Sequence, residues 1–344
     1  AGHPRQMDLN FSGHVTRVVA VEEASQVGQA RREALALAHH IDFDEIDAGR
    51  VALAATEMAT NVIKHGRGGR MHLSIACGRG GLGVELCTLD NGPGFSLAQA
   101  MPDGYSTGGT QGLGMGAIQR QAAVLEVWAD AKGAVMVARV YASRAARNVD
   151  VPYGALRLAL HDEPVCGDAW HLHADARQVT LTLIDGLGHG LPASDAAQAG
   201  VAAAAQRGAA GPVEVITALH AGMSGTRGGA VAVASVEVES GNLSFAGVGN
   251  IAATLCEPTS NRGMASLPGI VGVQYRKAQP FHFHAAAGTL LVMHSDGLQA
   301  RWNLRDYPGL QHRHPALVVA VLQRDFDRGR DDASIVALRL GDLH

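Results

Sequence analysis

Val51–His65 reads VALAATEMATNVIKH, and two later stretches belong with it: Asp90–Phe95, DNGPGF, and Gly108–Gly116, GGTQGLGMG. The first has apolar residues at helical spacing within a helix expected over 44–65. Glu57 and Asn61 stand four residues apart, so they share one helix face, and His65 extends that face by a turn. A carboxylate beside a side-chain amide suits Mg²⁺ chemistry. The amide oxygen ligates the ion while the carboxylate takes a proton from an attacking hydroxyl or water. Taken alone, E-x-x-x-N is more often an exposed polar stripe. Asp90 follows the strand-like run Val84–Leu89, where a carboxylate can accept a hydrogen bond from an exocyclic base amino group. Gly92 and Gly94 let the backbone close on a planar ring. The third stretch opens onto a helix starting near Ala117, which turns backbone N–H groups and the positive dipole end towards phosphates. It lacks the strand–glycine–helix order of a Rossmann unit.

Around this nucleus, Ser25–His40 (SQVGQARREALALAHH) predicts a helix with Ser25 as its cap. Met71–Ile75 and Leu82–Leu89 predict a hairpin around Gly78, Gly80 and Gly81; a helix over Gly116–Leu125 and a strand over Val135–Tyr141 follow. Ala142–Asp150 (ASRAARNVD) loses periodicity and reads as a linker. Beyond it, strand-like runs (Val179–Ile184, Ala230–Val238, Leu243–Val248, Thr289–His294) alternate with helical stretches at Ala193–Arg207, Val213–Gly222 and Pro315–Arg324. The expected organisation is a two-domain α/β (α+β) chain: residues 1–141, a linker over 142–150, and an α/β/β/α sandwich over 151–344.

In this order, the three N-terminal stretches resemble the N, G1 and G2 boxes of the GHKL (Bergerat-fold) ATP-binding family. EMATNVIKHG, DNGPGF and MPDGYSTGGTQGLGMGAIQRQA are similar to the small switch kinases of the RsbT and anti-sigma-factor type, over roughly Val15 to Tyr141. The resemblance implies bound ATP and Mg²⁺. It makes Glu57 the catalytic base, Asn61 the Mg²⁺ ligand and Asp90 the adenine contact. His65, Gly92 and Gly94 would join the nucleotide site, and Gly112, Leu113, Gly114, Met115 and Gly116 would form the phosphate loop. One departure is Ala134 after Gly133, where many members carry threonine. A histidine-kinase reading lacks an upstream helix pair with a phospho-accepting histidine; His39 and His40 read as surface residues.

The C-terminal half carries four acidic turns: Cys166-Gly167-Asp168, Asp185-Gly186-Leu187-Gly188-His189-Gly190, Ser295-Asp296-Gly297 and Asp331-Asp332-Ala333-Ser334. Any single Asp-Gly is usually only a turn. Carboxylates gathered at sheet ends bind hard divalent ions, and a pair of such ions can activate a bridging water. The set, with GTRGGAVAV and FAGVGNIAA, resembles the PP2C-like phosphatases of the SpoIIE and RsbX type from about Gly154 to Leu340. That resemblance implies two Mn²⁺ or Mg²⁺ ions and hydrolysis of phosphoserine or phosphothreonine. Asp185 would bridge the ions with the Gly186 carbonyl beside it, Asp296 and Asp331 would bind one ion, and Asp168 would bind or orient the other. Asp332 is a weaker neighbour, and His189 would hydrogen-bond a ligand or a metal-bound water. The alternating pairs His171/His173, His282/His284 and His312/His314 read as solvated or capping residues rather than zinc ligands.

At 344 residues the chain is long enough for two cores, and its net charge of −4 offers no basic field for nucleic acid. Its 43 glycines are too many for a helical bundle. Cys77, Cys87, Cys166 and Cys256 have no C-x-x-C spacing and read as buried, reduced thiols. No run is long enough to span a membrane, and AGHPRQMDLN has no signal pattern, so a cytoplasmic setting is expected. The two resemblances together imply a bifunctional switch that phosphorylates and dephosphorylates a STAS-domain antagonist in a partner-switching or stressosome-like pathway. A sigma factor or downstream regulator would be a further partner. The alternative is an ATP-binding, partner-binding module that regulates a metal-dependent phosphatase without kinase activity of its own.

Overall fold

The computed structural model describes residues 9–93, 114–143, 149–160 and 163–341, and the chain divides into two units. The first strand, β1 (Leu9–Ser12), belongs to the second unit. The first unit, Thr16–Val151, contains β2 (Arg17–Val21), α1 (Ala24–His40), α2 (Glu45–His65), β3 (Gly69–Gly78), β4 (Gly81–Asp90), α3 (Gly114–Gln121), β5 (Val124–Asp130) and β6 (Gly133–Tyr141). Its strands form one antiparallel sheet in the order β2-β3-β4-β6-β5. α2 begins where the Asp44 carboxylate accepts the Asp47 N–H at 2.8 Å, and it buries Val51, Ala55, Met58 and Val62 at helical spacing. α1 is capped differently from the expectation. Glu23 is the N-cap and shares a capping box with Gln26, while Ser25 donates to the Glu23 carboxylate. The helix expected through Leu125 ends at Gln121, and Leu125 lies in β5.

Beneath β6, the fully buried Arg139 donates to Glu85 Oε2 at 2.7 Å, to Asp150 Oδ1 at 3.0 Å and to the Val151 carbonyl at 3.1 Å. The Tyr141 hydroxyl donates to Asp150 at 2.7 Å; burial and that carboxylate hold its pKa well above the usual phenol value. At the other end of the expected linker, Ser143 donates through its backbone N–H and hydroxyl to Asp47. Both ends of 142–150 are therefore anchored to the first unit; residues 144–148 lie outside the described residues.

The second unit joins Ala1–Val15 to Pro152–His344. It contains β7 (Tyr153–Leu158), β8 (Asp168–Ala174), β9 (Gln178–Gly186), α4 (Leu191–Ala205), α5 (Pro212–Gly222), β10 (Gly229–Glu237), β11 (Asn242–Val248), β12 (Ala252–Cys256) and β13 (Asn261–Met264). There follow β14 (Gly269–Ile270), β15 (Gln274–Tyr275), β16 (Phe281–His284), β17 (Leu290–His294), α6 (Pro315–Phe326) and β18 (Ala333–Arg339). A six-stranded sheet runs β1-β8-β9-β10-β11-β16, and a five-stranded sheet runs β13-β12-β17-β18-β7. α4 and α5 cover the first sheet through Ile184, Val201, Ile216 and Val231; α6 packs on β7 and β18. α4 comes this close because Gly200 has no side chain: a methyl there would lie 2.7 Å from Ile184 Cδ1. The layering agrees with the α/β/β/α reading.

The N-terminal boundary differs from the expected 1–141. β1 pairs with β8 in the register Leu9↔Ala174 to Ser12↔His171, so the first unit is inserted in sequence between β1 and β7 of the second. Leu9 and Phe11 are buried there, and main-chain pairing to a sheet edge supplies the rest of the hold. All four cysteines are buried. Among the described residues, no helix is long and apolar enough to cross a membrane.

Arg139→Ala leaves Glu85 buried without its guanidinium. It is expected to cost the first unit about 3–5 kcal/mol, read as a lower denaturation midpoint with an unchanged slope.

Candidate nucleotide site and candidate metal centre

In the first unit, glycines bring Asp90 against the end of α2. A methyl on Gly66 would lie 2.4 Å from Asp90 Cβ, and one on Gly92 would lie 2.6 Å from the His65 carbonyl. The Asn91 N–H donates to the Gly66 carbonyl at 3.1 Å. The helix bearing Glu57 and Asn61, both half-buried, therefore ends at Asp90, with His65 exposed in its last turn. Asp90 Oδ1 accepts the N–H of Gly92 and the N–H of Ala134, each at 2.9 Å. Gly133 makes the second bond possible: its φ is +124°, and a methyl there would meet the Asp90 carbonyl at 2.0 Å. Ala134 thus serves Asp90 through its main chain although it lacks a hydroxyl. Gly94, Gly112 and Leu113 lie outside the described residues. α3 starts at Gly114, earlier than expected, and includes Met115 and Gly116. Met115 is correspondingly a core residue, 8% exposed.

In the second unit, four turns meet at strand ends. Asp168 and Asp185 are direct partners in the β8–β9 register, and the Gly186 N–H donates to the Gly167 carbonyl at 3.0 Å. A methyl on Gly186 would lie 2.2 Å from the Ala193 carbonyl, and one on Gly229 would lie 2.3 Å from the Asp185 carbonyl. A methyl on Gly297 would lie 2.1 Å from the Asp332 carbonyl, which sets the Asp296 turn against the Asp331–Asp332 turn. Burial is the largest cause raising the pKa of Asp168, Asp185 and Asp331, and neighbouring carboxylates raise each further. Asp296 stands exposed at the rim, and its Oδ2 accepts from Asn250 Nδ2 at 2.7 Å.

Asp332 has a different part from its neighbour. Its Oδ1 accepts the Leu160 N–H at 2.8 Å and its Oδ2 the Gly167 N–H at 2.7 Å, so it braces the Asp168 turn. Ser295 also escaped the sequence reading. Its hydroxyl donates to Asp168 Oδ2 at 2.6 Å and accepts the Ser334 N–H at 3.0 Å. The only sequence signal for it is its place directly before Asp296. His189 is exposed and hydrogen-bonded through Nδ1 to Glu163 at 2.9 Å.

The carboxylates crowd one another, yet among the described residues no three His, Cys, Asp or Glu side chains converge closely enough to hold an ion as they stand. The donor chemistry still fits a hard divalent cation, because the gathered atoms are carboxylate and carbonyl oxygens and the excess negative charge is costly without a cation. The paired histidines split. His282 and His284 are exposed, and His314 caps α6 by accepting the Ala316 N–H at 3.2 Å. His171 departs from the solvated reading: it is 2% exposed, hydrogen-bonded to Ser12, and burial lowers its pKa to about 4.

Residues 20–140 match the family described as histidine kinase-like ATPase domain, and residues 175–341 match stage II sporulation protein E (SpoIIE). The serine/threonine-protein kinase RsbT of Bacillus subtilis (strain 168) is 29% identical over 92 residues, 26% of this chain and 69% of RsbT. The phosphoserine phosphatase RsbX of the same strain is 28% identical over 138 residues, 39% of this chain and 68% of RsbX. A solved chain from work on the bacterial stressosome, as a modular system adapted to control secondary messenger signaling, is 26% identical. It covers 54% of this chain and 97% of its own length, with a TM-score of 0.50.

Carboxylates whose folded pKa lies above the ordinary 3.8 bind more protons folded than unfolded, so they cost stability as pH rises. Asp185→Asn removes part of that cost. In metal-free protein its stability advantage over wild type is expected to grow from nearly nothing at about pH 4 to about 1–3 kcal/mol near pH 8. Comparing the two proteins cancels the opposite contribution of buried His171. A pH-independent difference in denaturation midpoints would contradict the charge crowding.

Proposed function

We propose that this chain, a histidine kinase-like ATPase domain joined to a SpoIIE-type phosphatase domain, is a regulatory switch with opposed activities. The first unit transfers the γ-phosphoryl group of ATP to a serine or threonine of a small regulatory protein, and the second removes it. The observation that carries the reading is one polypeptide with two separately built acidic sites, resembling a serine/threonine kinase in one half and a phosphoserine phosphatase in the other.

In the kinase role, Asp90 Oδ2 receives the adenine amino group while Oδ1 is kept in place by Gly92 and Ala134. Asn61 holds Mg²⁺, and Glu57, one turn earlier on α2, takes the proton of the attacking hydroxyl. By the resemblance, Gly112, Leu113, Gly114, Met115 and Gly116 would serve the phosphates and Gly94 the base, with His65 contributing from the end of α2. In the phosphatase role, Asp185, the Gly186 carbonyl, Asp296 and Asp331 hold the ions, with Asp168 set by Ser295. Bound there, two Mn²⁺ or Mg²⁺ ions would supply an activated water for hydrolysis of the phosphoester. His189, oriented by Glu163, can when protonated donate to a phosphate oxygen from the rim.

The proposed partner is a STAS-domain phosphoprotein of a partner-switching pathway in the cytoplasm, with a sigma factor or other regulator downstream. Kinship with RsbT and RsbX and likeness to a stressosome chain support that choice. Ala134, in place of threonine, favours a second reading in which ATP shapes a partner-binding surface without phosphoryl transfer.

Incubating the chain with radiolabelled ATP, Mg²⁺ and a STAS protein separates these readings. Glu57→Ala is expected to lower label transfer at least about a hundredfold and leave Mn²⁺-dependent release of phosphate intact. Asp185→Ala is expected to do the reverse. Tight nucleotide binding without label transfer by the wild type would select the partner-binding reading, and equal loss of both activities in either variant would refute separate sites.

A further inference from the structure

Arg157, on β7, is 4% exposed and sends its donors to three carbonyls, two at the turn into β8 and one just after β1. Nε donates to the Asp168 carbonyl at 2.5 Å, Nη2 to the Cys166 carbonyl at 3.1 Å and Nη1 to the Gly13 carbonyl at 3.1 Å. The Gln198 amide oxygen of α4 accepts from Nη2 at 3.0 Å and Nη1 at 3.3 Å in the orientation that satisfies both its atoms. A rigid, planar fork fixes the relative positions of the groups it binds, and a buried charge makes loss of any acceptor costly.

The Gly13 end of this link is itself tightly set. Its N–H donates to the Trp170 carbonyl at 3.0 Å, and a methyl on Gly13 would lie 2.0 Å from the Trp170 ring. That ring also meets Phe11, with centroids 5.6 Å apart, and Tyr153 at 5.8 Å. Ser12 Oγ is hydrogen-bonded to His171 Nδ1 at 2.9 Å. Leu9–Gly13 therefore grips β8 from its outer edge along the stretch that begins at Asp168.

We propose that Leu9–Gly13 is a positioning element of the acidic site, and that Arg157 carries its presence to the backbone of Asp168. Asp168 is then fixed from two directions: its carboxylate by Ser295 and its carbonyl by Arg157. On this view the second unit is completed by a strand lying on the far side of the inserted unit in sequence, and residues 151–344 alone lack part of the site's support. The metal-binding part of the inference rests on the phosphatase reading; the effect on backbone order does not.

The test uses the full chain with Gly13→Ala, which pushes the strand off Trp170, with Arg157→Lys, which keeps the charge but loses the fork, and with both together. Amide hydrogen exchange over residues 164–172 is followed by mass spectrometry without metal, and Mn²⁺ affinity is measured by calorimetric titration. Each single variant is expected to exchange about tenfold faster there and to bind Mn²⁺ about five- to tenfold more weakly, with the double variant no worse than the poorer single. If Gly13→Ala melts below the assay temperature, Phe11→Leu, which only withdraws a ring from Trp170, repeats the strand arm. Unchanged exchange in folded single variants, or effects that add in the double variant, would overturn the proposal. A wild type that binds no Mn²⁺ would refute the phosphatase reading, and the exchange measurement would still decide the positioning role.

Discussion

Asp168 and Asp185 face one another across the β8–β9 register, where burial makes both charges expensive, and much of the second unit is arranged around that fact. Two strand ends can place carboxylates side by side only if the following turns also fit together. Gly186, Gly229 and Gly297 are the residues that let backbone meet backbone there. Ser295 holds the Asp168 carboxylate and Asp332 holds the turn before it. Such a site is costly in the free protein and gains stability from whatever cation satisfies it.

The first unit treats its key carboxylate in the opposite way. Asp90 has one oxygen engaged by two backbone N–H groups, which fixes its direction. A carboxylate so satisfied does not call for a metal; it presents an oriented acceptor, which suits an uncharged amino group on a planar base. The same residue type thus stands in two different settings in one chain. The difference lies in backbone amides at one site and neighbouring carboxylates at the other.

What the sequence made legible follows the range of the interactions involved. The long Ala-rich helices, the β3–β4 hairpin and the acidic turns at strand ends depend on local periodicity and glycine placement, and they stand within a few residues of expectation. β5 was hidden because Val124 and Leu125 continue the apolar spacing of the preceding helix, and only pairing with β6 settles them as strand. β1 offers four residues, LNFS, with two buried side chains, and its partner His171–Ala174 lies beyond an entire inserted unit. In the sequence only the family resemblance separates Asp331 from Asp332; the amides of Leu160 and Gly167, which claim Asp332, lie far from it in sequence. Ser295 and Arg157 belong to the same class: each acts through a partner far away in sequence, so no short pattern announces it.

Both units bury arginines, and Arg139 and Arg157 use their donors in different ways. Arg139 spends donors on the carboxylates of Glu85 and Asp150, so charge is neutralised locally and the network serves as an anchor for the chain leaving β6. Arg157 lies beside a far denser group of carboxylates, yet it donates to the carbonyls of Asp168, Cys166 and Gly13. Its positive charge lowers the pKa of nearby Cys166, against the stronger effect of burial, so the field of the guanidinium reaches the turn even though its hydrogen bonds go elsewhere. A guanidinium clamped bidentate on Asp168 or Asp185 would make the cluster more stable and less able to take a cation. Held on main-chain carbonyls, it lends charge and rigidity to the turn.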